Sequence, residues 1–321
     1  MDALIYTNKS VKEAAPDRRS LAWRRLTAGT VASFALLSLT ESSDGVVPNL
    51  PTGTKIVAMG DSYTSGHNNG DVHGKFNDCF RDNVSYAYKI ADQLDLLNSF
   101  TNVACSGATP EEIIEGRFDE RPQIEALDDE TDYVLLTTGA NAANLSELLG
   151  SCLESDCSVG SHHITVLLNY VSSEAFIDRL KNTYQKIAQH APNAAIIVTA
   201  YPTIIDTGAI CGELAGNGVD GSTEAAIDTL NRSIEAAVQS ARNEGLMVFL
   251  SPPATDIDLC RTLGQSFFHD PENPRAMGHP TDLGHRAIAK SVLGTMAAAN
   301  YTLGYNDSSE GTHMLKATGR R

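Results

Sequence analysis

The chain has 321 residues, of which 24 are lysine or arginine and 40 are aspartate or glutamate, giving a formal net charge of −16. Apolar residues make up 42% and charged residues 20% of the chain, so it can bury a core and is not an intrinsically disordered protein. The acidic balance argues against a nucleic-acid partner, because binding to phosphates needs clustered lysine and arginine. It also provides no attraction to an anionic membrane surface.

The first 46 residues have the pattern of an export signal. Four arginines between residues 18 and 25 precede a mostly apolar run of fourteen residues, 26–39. Such a run is typical of a secretory signal and is too short to cross a bilayer comfortably, although an uncleaved anchor is the alternative. We therefore predict a targeting segment (1–46), one folded domain (47–300) and a C-terminal tail (301–321). We expect the mature protein to be secreted, monomeric and not stably inserted in a membrane.

The rest of the chain alternates between strand and helix patterns. Short apolar runs predict buried strands, at residues 55–60, 100–105, 133–139, 194–202 and 246–253. Helical spacing with start and stop signals predicts helices between them, at residues 85–94, 109–116, 174–192, 222–245 and 282–299. This alternation predicts an α/β fold, a three-layer sandwich with a central parallel sheet flanked by helices. In such sheets, ligands bind beyond the carboxyl ends of the strands.

Polar residues gather at those predicted strand ends. Ser62 follows the first strand, Gly107 the second and Asn141 the third, and His279 stands just before the last helix. Acyl transfer to a serine needs a hydroxyl nucleophile, a base and donors for the developing oxyanion. We predict that Ser62 is the nucleophile and His279 the base. The oxyanion hole is then formed by the backbone N–H groups of Ser62 and Gly107 and by the side-chain amide of Asn141.

Four segments carrying these residues resemble the blocks of the SGNH (GDSL-type) hydrolase family, over about residues 54–298. They are IVAMGDSYTSG, NVACSGAT, TTGANAANL and GHPTDLGHRAIA. The serine, glycine, asparagine and histidine that name the family fall here on Ser62, Gly107, Asn141 and His279. The resemblance implies the SGNH hydrolase, flavodoxin-like version of the α/β fold. It also implies a carboxylic-ester hydrolase, an esterase or lipase, that forms an acyl-enzyme and needs no metal or organic cofactor.

The last block departs from the family pattern at the residue that usually orients the base. The family commonly has an aspartate three residues before the catalytic histidine, and this chain has Ala276. Secreted bacterial members that the chain resembles use a Ser–His dyad, which implies that the backbone carbonyl of Ala276 orients His279. A carboxylate that folds back to complete a triad remains the alternative, from Asp270, Glu272 or Asp282.

Two further side chains have alternative interpretations. His285 also follows an aspartate by three residues and is a rival base, although a structural role at the start of the last helix is favoured. Asp61 is next to the nucleophile, and we expect it to hydrogen-bond the turn that presents Ser62 rather than to act chemically. The third block has Ala142 where the family usually has an aspartate.

Six cysteines allow fifteen disulfide pairings, between which the spacing alone does not choose. The resemblance to secreted relatives implies consecutive pairing, as Cys79–Cys105, Cys152–Cys157 and Cys211–Cys260. No cysteine and histidine spacing suggests a zinc site, which disfavours a metal-dependent hydrolase.

The expected partner is a small-molecule or lipid ester. The single tryptophan, Trp23, lies in the targeting segment, so the predicted domain has no tryptophan on which a sugar could stack. A carbohydrate acetylesterase or a phospholipase would use the same residues and stays open. An inactive member that only binds a ligand is the alternative outside enzymes.

Overall fold

The computed structural model describes residues 47–67, 79–145, 161–202, 219–254 and 278–302, which all lie in the compact unit Asp44–Arg321. The predicted targeting segment lies outside the described residues, so the boundaries 1–46, 47–300 and 301–321 stay predictions. Among the described helices, none is both long and apolar enough to span a bilayer.

Five parallel strands form one sheet in the order β2-β1-β3-β4-β5. Their bounds are Ile56–Gly60 (β1), Phe100–Asn102 (β2), Tyr133–Thr137 (β3), Ala195–Thr199 (β4) and Val248–Ser251 (β5). β1, β3 and β4 are buried along their whole lengths, as expected for strands covered on both faces. The register pairs Gly60 with Thr137, so β1 and β3 end side by side. This confirms the predicted parallel sheet.

The helices pack in two groups that flank the sheet. Their bounds are Ser62–Ser65 (α1), Tyr86–Gln93 (α2), Pro110–Glu115 (α3), His162–Val171 (α4), Glu174–His190 (α5), Val219–Asn243 (α6) and Asp282–Thr302 (α7). Helix α2 packs on α7, whereas α5 packs on both α3 and α6. Short 3₁₀ turns at Leu97–Ser99 and Gln123–Ala126 complete the described elements. The three-layer α/β sandwich is confirmed.

Helix α4 lies in a segment for which the sequence predicts no element. Ser161 caps its start by accepting a hydrogen bond from the N–H of Ile164 at 3.5 Å. Ser233 of α6 donates to the carbonyl of Val171 at 2.8 Å and so holds the other end. The helix depends on these tertiary contacts as well as on its own residues, which explains why its short apolar run does not reveal it.

Most element ends differ from their predicted positions by one to three residues. Strand β2 ends at Asn102 rather than at residue 105, although the N–H groups of Val103 and Cys105 still donate to the carbonyls of Ala58 and Gly60 of β1 at 2.9 and 3.0 Å. Helix α7 continues to Thr302, beyond its predicted end at residue 299.

Candidate active site

Ser62 stands at the start of α1, directly after β1, in a turn that requires its neighbours. Gly60 has a φ of +119°, and a Cβ at that position would lie 2.1 Å from the carbonyl oxygen of Thr137. Only glycine allows the strands to approach so closely here. Asp61 then caps the short helix by accepting a hydrogen bond from the N–H of Tyr63 at 3.0 Å. The segment Gly-Asp-Ser thus positions Ser62, which is 7% exposed.

Asp61 is a structural carboxylate, as the sequence predicts. It is almost fully buried and accepts a hydrogen bond from the hydroxyl of Tyr201. That hydroxyl in turn accepts a hydrogen bond from the N–H of Ala140 at 3.2 Å, in the loop after β3. Burial raises the pKa of Asp61 to about 7, and the hydrogen bonds from Tyr201 and from the N–H of Tyr63 offset only part of this rise. Asp61 therefore ties the serine turn to the neighbouring strand end.

The three predicted oxyanion donors come from adjacent strand ends. Gly107, with a φ of +81°, follows β2, and Asn141 follows β3. The Asn141 amide donates one hydrogen bond to the carbonyl of Ala108 at 3.0 Å, which holds it against the glycine loop and leaves its second N–H. The backbone N–H groups of Ser62 and Gly107 have no acceptor among the described residues. All three groups can thus donate to a ligand.

The loop that carries His279 is fixed beside the serine turn. The Tyr63 hydroxyl donates a hydrogen bond of 2.7 Å to the carbonyl oxygen of Gly278. The imidazole of His279 lies 5.9 Å from the Tyr63 ring, measured between centroids, and it stacks on the ring of His67 at 4.4 Å. His279 is therefore next to the residue that follows Ser62.

Of the predicted groups that could orient His279, only Asp282 is described. Its two carboxylate oxygens form ion pairs with Lys89 and Arg286 at the start of α7. Both oxygens are therefore engaged by basic side chains, which does not support Asp282 as the acid of a triad. Ala276, Asp270 and Glu272 lie outside the described residues.

The rival base His285 has a structural role. It is fully buried on α7, and its Nδ1 accepts a hydrogen bond of 3.2 Å from the N–H of Tyr86, which begins α2. The backbone N–H of His285 donates a hydrogen bond of 2.8 Å to the carbonyl oxygen of Thr281. The bond from Tyr86 joins α2 to α7, and the engagement of the buried His285 ring in it favours His279 over His285 as the base.

The model of the GDSL-like Lipase/Acylhydrolase family matches residues 58–287, which is well over half of the chain. The chain belongs to this family. It is similar to a lipase of Streptomyces rimosus, with 28% identity over 220 residues that cover 66% of this chain and 76% of the relative. It is also similar to Lipase 1 of Streptomyces coelicolor, with 29% identity over 163 residues. That alignment covers 48% of this chain and spans about half, 55%, of the relative.

Solved structures have the same fold as this member of the GDSL-like Lipase/Acylhydrolase family. The extracellular lipase from Streptomyces rimosus superposes with a TM-score of 0.62 at 24% identity, covering 77% of this chain and 99% of that one. Phospholipase A1 from Streptomyces albidoflavus superposes with a TM-score of 0.58 at 25% identity, covering 78% and 98%. These similarities agree with the SGNH resemblance seen in the sequence.

One of the three predicted disulfides is present among the described residues. Cys79 and Cys105 are bonded, and the N–H of Ser106 donates to the carbonyl of Cys79 at 3.0 Å. The disulfide therefore holds the loop that carries Gly107. The predicted pairs Cys152–Cys157 and Cys211–Cys260 lie outside the described residues and stay predictions. Within the described ranges, no group of three or more histidine, cysteine, aspartate or glutamate residues could hold a metal ion.

Sequence reasoning misses Gln123, which closes the end of β1. Its amide oxygen accepts from the N–H of Gly60 at 2.6 Å, and its amide nitrogen donates to the carbonyl of the same residue at 3.0 Å. The side chain thus satisfies both backbone groups of Gly60, as a neighbouring strand would. No motif marks this glutamine, because its partner is 63 positions away in the sequence.

Proposed function

We propose that this GDSL-like acylhydrolase is a secreted serine esterase or lipase that hydrolyses carboxylic esters through an acyl-enzyme on Ser62. The proposal is supported by one observation: Ser62, Gly107 and Asn141 follow three adjacent parallel strands, and each has an N–H group for which no acceptor is found among the described residues. From β1 the chain adds β2 on one side of the sheet and then β3, β4 and β5 on the other, so the boundary between β1 and β3 is the point at which the strand order reverses. Open α/β sheets bind their ligands at such a point.

The mechanism follows from the roles of these groups. His279 takes the proton of the Ser62 hydroxyl while the serine oxygen attacks the ester carbonyl. The carbonyl oxygen becomes negatively charged and accepts hydrogen bonds from the backbone N–H groups of Ser62 and Gly107 and from the Asn141 amide. His279 then gives the proton to the leaving alcohol as the tetrahedral intermediate collapses to an acyl-enzyme. A water molecule attacks the acyl carbonyl, again with His279 as base, and releases the carboxylic acid and free Ser62.

The proposal includes a dyad rather than a triad, in which the carbonyl of Ala276 accepts a hydrogen bond from the His279 ring and fixes its tautomer. The sequence supports this with an alanine at the usual aspartate position, and the ion pairs of Asp282 remove one candidate acid.

A lipid or small acyl ester is the proposed substrate class. Relatives named lipase and the similarity to a phospholipase A1 support this choice, and they keep a phospholipid ester as the second candidate. Secretion is supported by the arginine-rich start with its short apolar run and by the similarity to a lipase described as extracellular. The enzyme is proposed to act as a monomer.

A fluorophosphonate probe and a series of p-nitrophenyl esters from acetate to palmitate test the proposal. The probe should label Ser62 in the wild-type protein, and Ser62→Ala and His279→Ala should lose both labelling and ester hydrolysis because nucleophile and base act together. The exposed Ser172→Ala is the matched control and should keep both. Hydrolysis by Ser62→Ala at the wild-type rate would contradict the proposal. The chain length that gives the largest kcat/KM would separate esterase from lipase.

A further inference from the structure

The imidazole of His67 lies between two other rings near the proposed base. Its centroid is 4.4 Å from the ring of Phe80, at an interplanar angle of 34°. On its other side it is 4.4 Å from the ring of His279, at only 14°, which is a nearly parallel stack. Rings that are close and almost parallel restrict each other's rotation, because turning one would drive its atoms into the other.

The same residue also contacts the other parts of the site. The Nδ1 atom of His67 lies 2.6 Å from the hydroxyl of Ser106, which precedes Gly107. Its backbone N–H donates to the carbonyl oxygen of Ser62 at 3.2 Å. One residue thus joins the nucleophile turn, the oxyanion loop and the base.

We propose that His67 is a positioning residue, whose ring holds the imidazole of His279 in the orientation that takes the proton of Ser62. The inference rests on the proposed function, since it assigns a role around the same base. The stack restricts rotation of the His279 ring, which is the property that the proposed role needs.

A ring contact that orients His279 matters more in this chain than in relatives that have an aspartate before the catalytic histidine. The sequence has Ala276 where the family usually has an aspartate before the catalytic histidine. A neutral carbonyl fixes a tautomer but stabilises an imidazolium less than a carboxylate does. A base oriented in this way gains more from a second contact that fixes its ring plane, and His67 supplies one.

The stack is itself held by rigid neighbours. Phe80 follows Cys79 and Ser106 follows Cys105, so the disulfide holds two of the residues that contact His67. The hydrogen bond between the N–H of Ser106 and the carbonyl of Cys79 joins the same two segments a second time. The His67 ring therefore packs on Phe80 with one face and on His279 with the other, and its Nδ1 atom is hydrogen-bonded to Ser106.

Two substitutions separate the ring from its hydrogen bond. His67→Phe keeps a flat ring on His279 but cannot bond to Ser106, whereas His67→Asn can bond to Ser106 but has no ring. We expect His67→Asn to lower kcat roughly 10²-fold with little change in KM, because a displaced catalytic group slows the chemical step rather than binding. The kcat of His67→Phe should stay within about tenfold of the wild-type value.

The control is His190→Ala, which replaces an exposed histidine at the end of α5 and should keep the wild-type kcat and KM.

Kinetics on a soluble p-nitrophenyl ester, with folding checked by circular dichroism and melting temperature, decide the outcome. The inference is overturned if folded His67→Asn keeps the wild-type kcat, or if folded His67→Phe is as slow as His67→Asn. Fluorophosphonate labelling separates this failure from failure of the proposed function. If the probe labels Ser62 in the wild-type protein and the His67 variants react as fast, only the positioning role is wrong. If Ser62 is not labelled, the proposed function itself fails.

Discussion

The side-chain nitrogen of Asn141 has two N–H groups, and the protein uses one of them internally, toward the carbonyl of Ala108. That bond holds the amide so that the second N–H can meet an oxyanion without reorganisation. Asn141→Ala should therefore lower kcat by roughly 10²–10³-fold and leave KM nearly unchanged, as for a donor engaged mainly in the transition state. Steady-state kinetics on a soluble ester measure both constants.

Asn193→Ala is a matched control for the loss of an asparagine. Its amide also donates to a backbone carbonyl, that of Asp129 at 2.8 Å, but it stands just before β4, at the amino ends of the strands. It should keep the wild-type kcat. An Asn141→Ala variant with the same kcat as this control would make Asn141 purely structural.

Asp61 is expected to make the stability of the protein depend on pH. In an unfolded chain an aspartate has a pKa near 3.9, whereas burial raises the pKa of Asp61 to about 7. Between these values the folded state holds a proton that the unfolded chain has lost. The stability from this proton is therefore complete below about pH 4 and is lost as the pH rises to about 7, by at most about 1.4 kcal/mol per pH unit.

Urea unfolding from pH 4 to pH 7 tests this, with wild type compared with Asp61→Asn. The asparagine can still cap the N–H of Tyr63 but does not titrate, so the variant should lose less stability than wild type as the pH rises. Asp129→Asn, at an exposed position, should follow wild type. Parallel curves for wild type and Asp61→Asn would show that the carboxyl group is not linked to folding.

At the scale of elements, the loop after β2 is held at both ends. The Cys79–Cys105 disulfide holds its start, and the guanidinium of Arg117 donates to the carbonyl of Ser106 at 3.1 Å. Thr109 and Glu112 form a capping box at the start of α3, where the loop ends. Gly107 therefore sits in a segment with little freedom to move its N–H away from a ligand.

Removing the disulfide should affect both stability and catalysis. The bond joins positions 26 residues apart, and closing a loop of that size stabilises a domain by about 3 kcal/mol. Cys79→Ser and Cys105→Ser should each lower the melting temperature by several degrees and lower kcat, because the Gly107 loop and Phe80 lose their common anchor. The double variant should be no worse than either single one, since each already breaks the bond. Additive losses would indicate that the cysteines act separately.

The elements differ in how far the sequence reveals them. Strands β1, β3 and β4 are predictable because burial on both faces demands an unbroken apolar run. Ser62, Gly107 and Asn141 are recognisable because a parallel sheet brings its strand ends to one edge. Helix α4, Gln123 and the stacked ring of His67 are not, because each is defined by a partner distant in sequence, and no local pattern records such a pairing.

At the scale of the whole molecule, the strand order β2-β1-β3-β4-β5 brings together segments from the first half of the domain that carry the proposed nucleophile and oxyanion donors. The proposed base, His279, comes from the far end of the same domain, next to α7. The alternation of strands and helices predicts the sheet, and its strand ends together with the family resemblance predict Ser62 and His279 as partners. The contacts of Tyr63 with Gly278 and His279 depend on how the segment before α7 docks, and no sequence pattern predicts them.

The hydrogen bond from the Tyr63 hydroxyl to the carbonyl of Gly278 spans 215 positions, so nucleophile and base meet only when both ends of the domain have docked. All five strands lie before residue 252, so a growing polypeptide contains the whole sheet before it contains His279. A chain of that length has Ser62 and the proposed oxyanion donors but not the proposed base. A protein cut before residue 279 should therefore be unable to hydrolyse esters, however well the remainder folds.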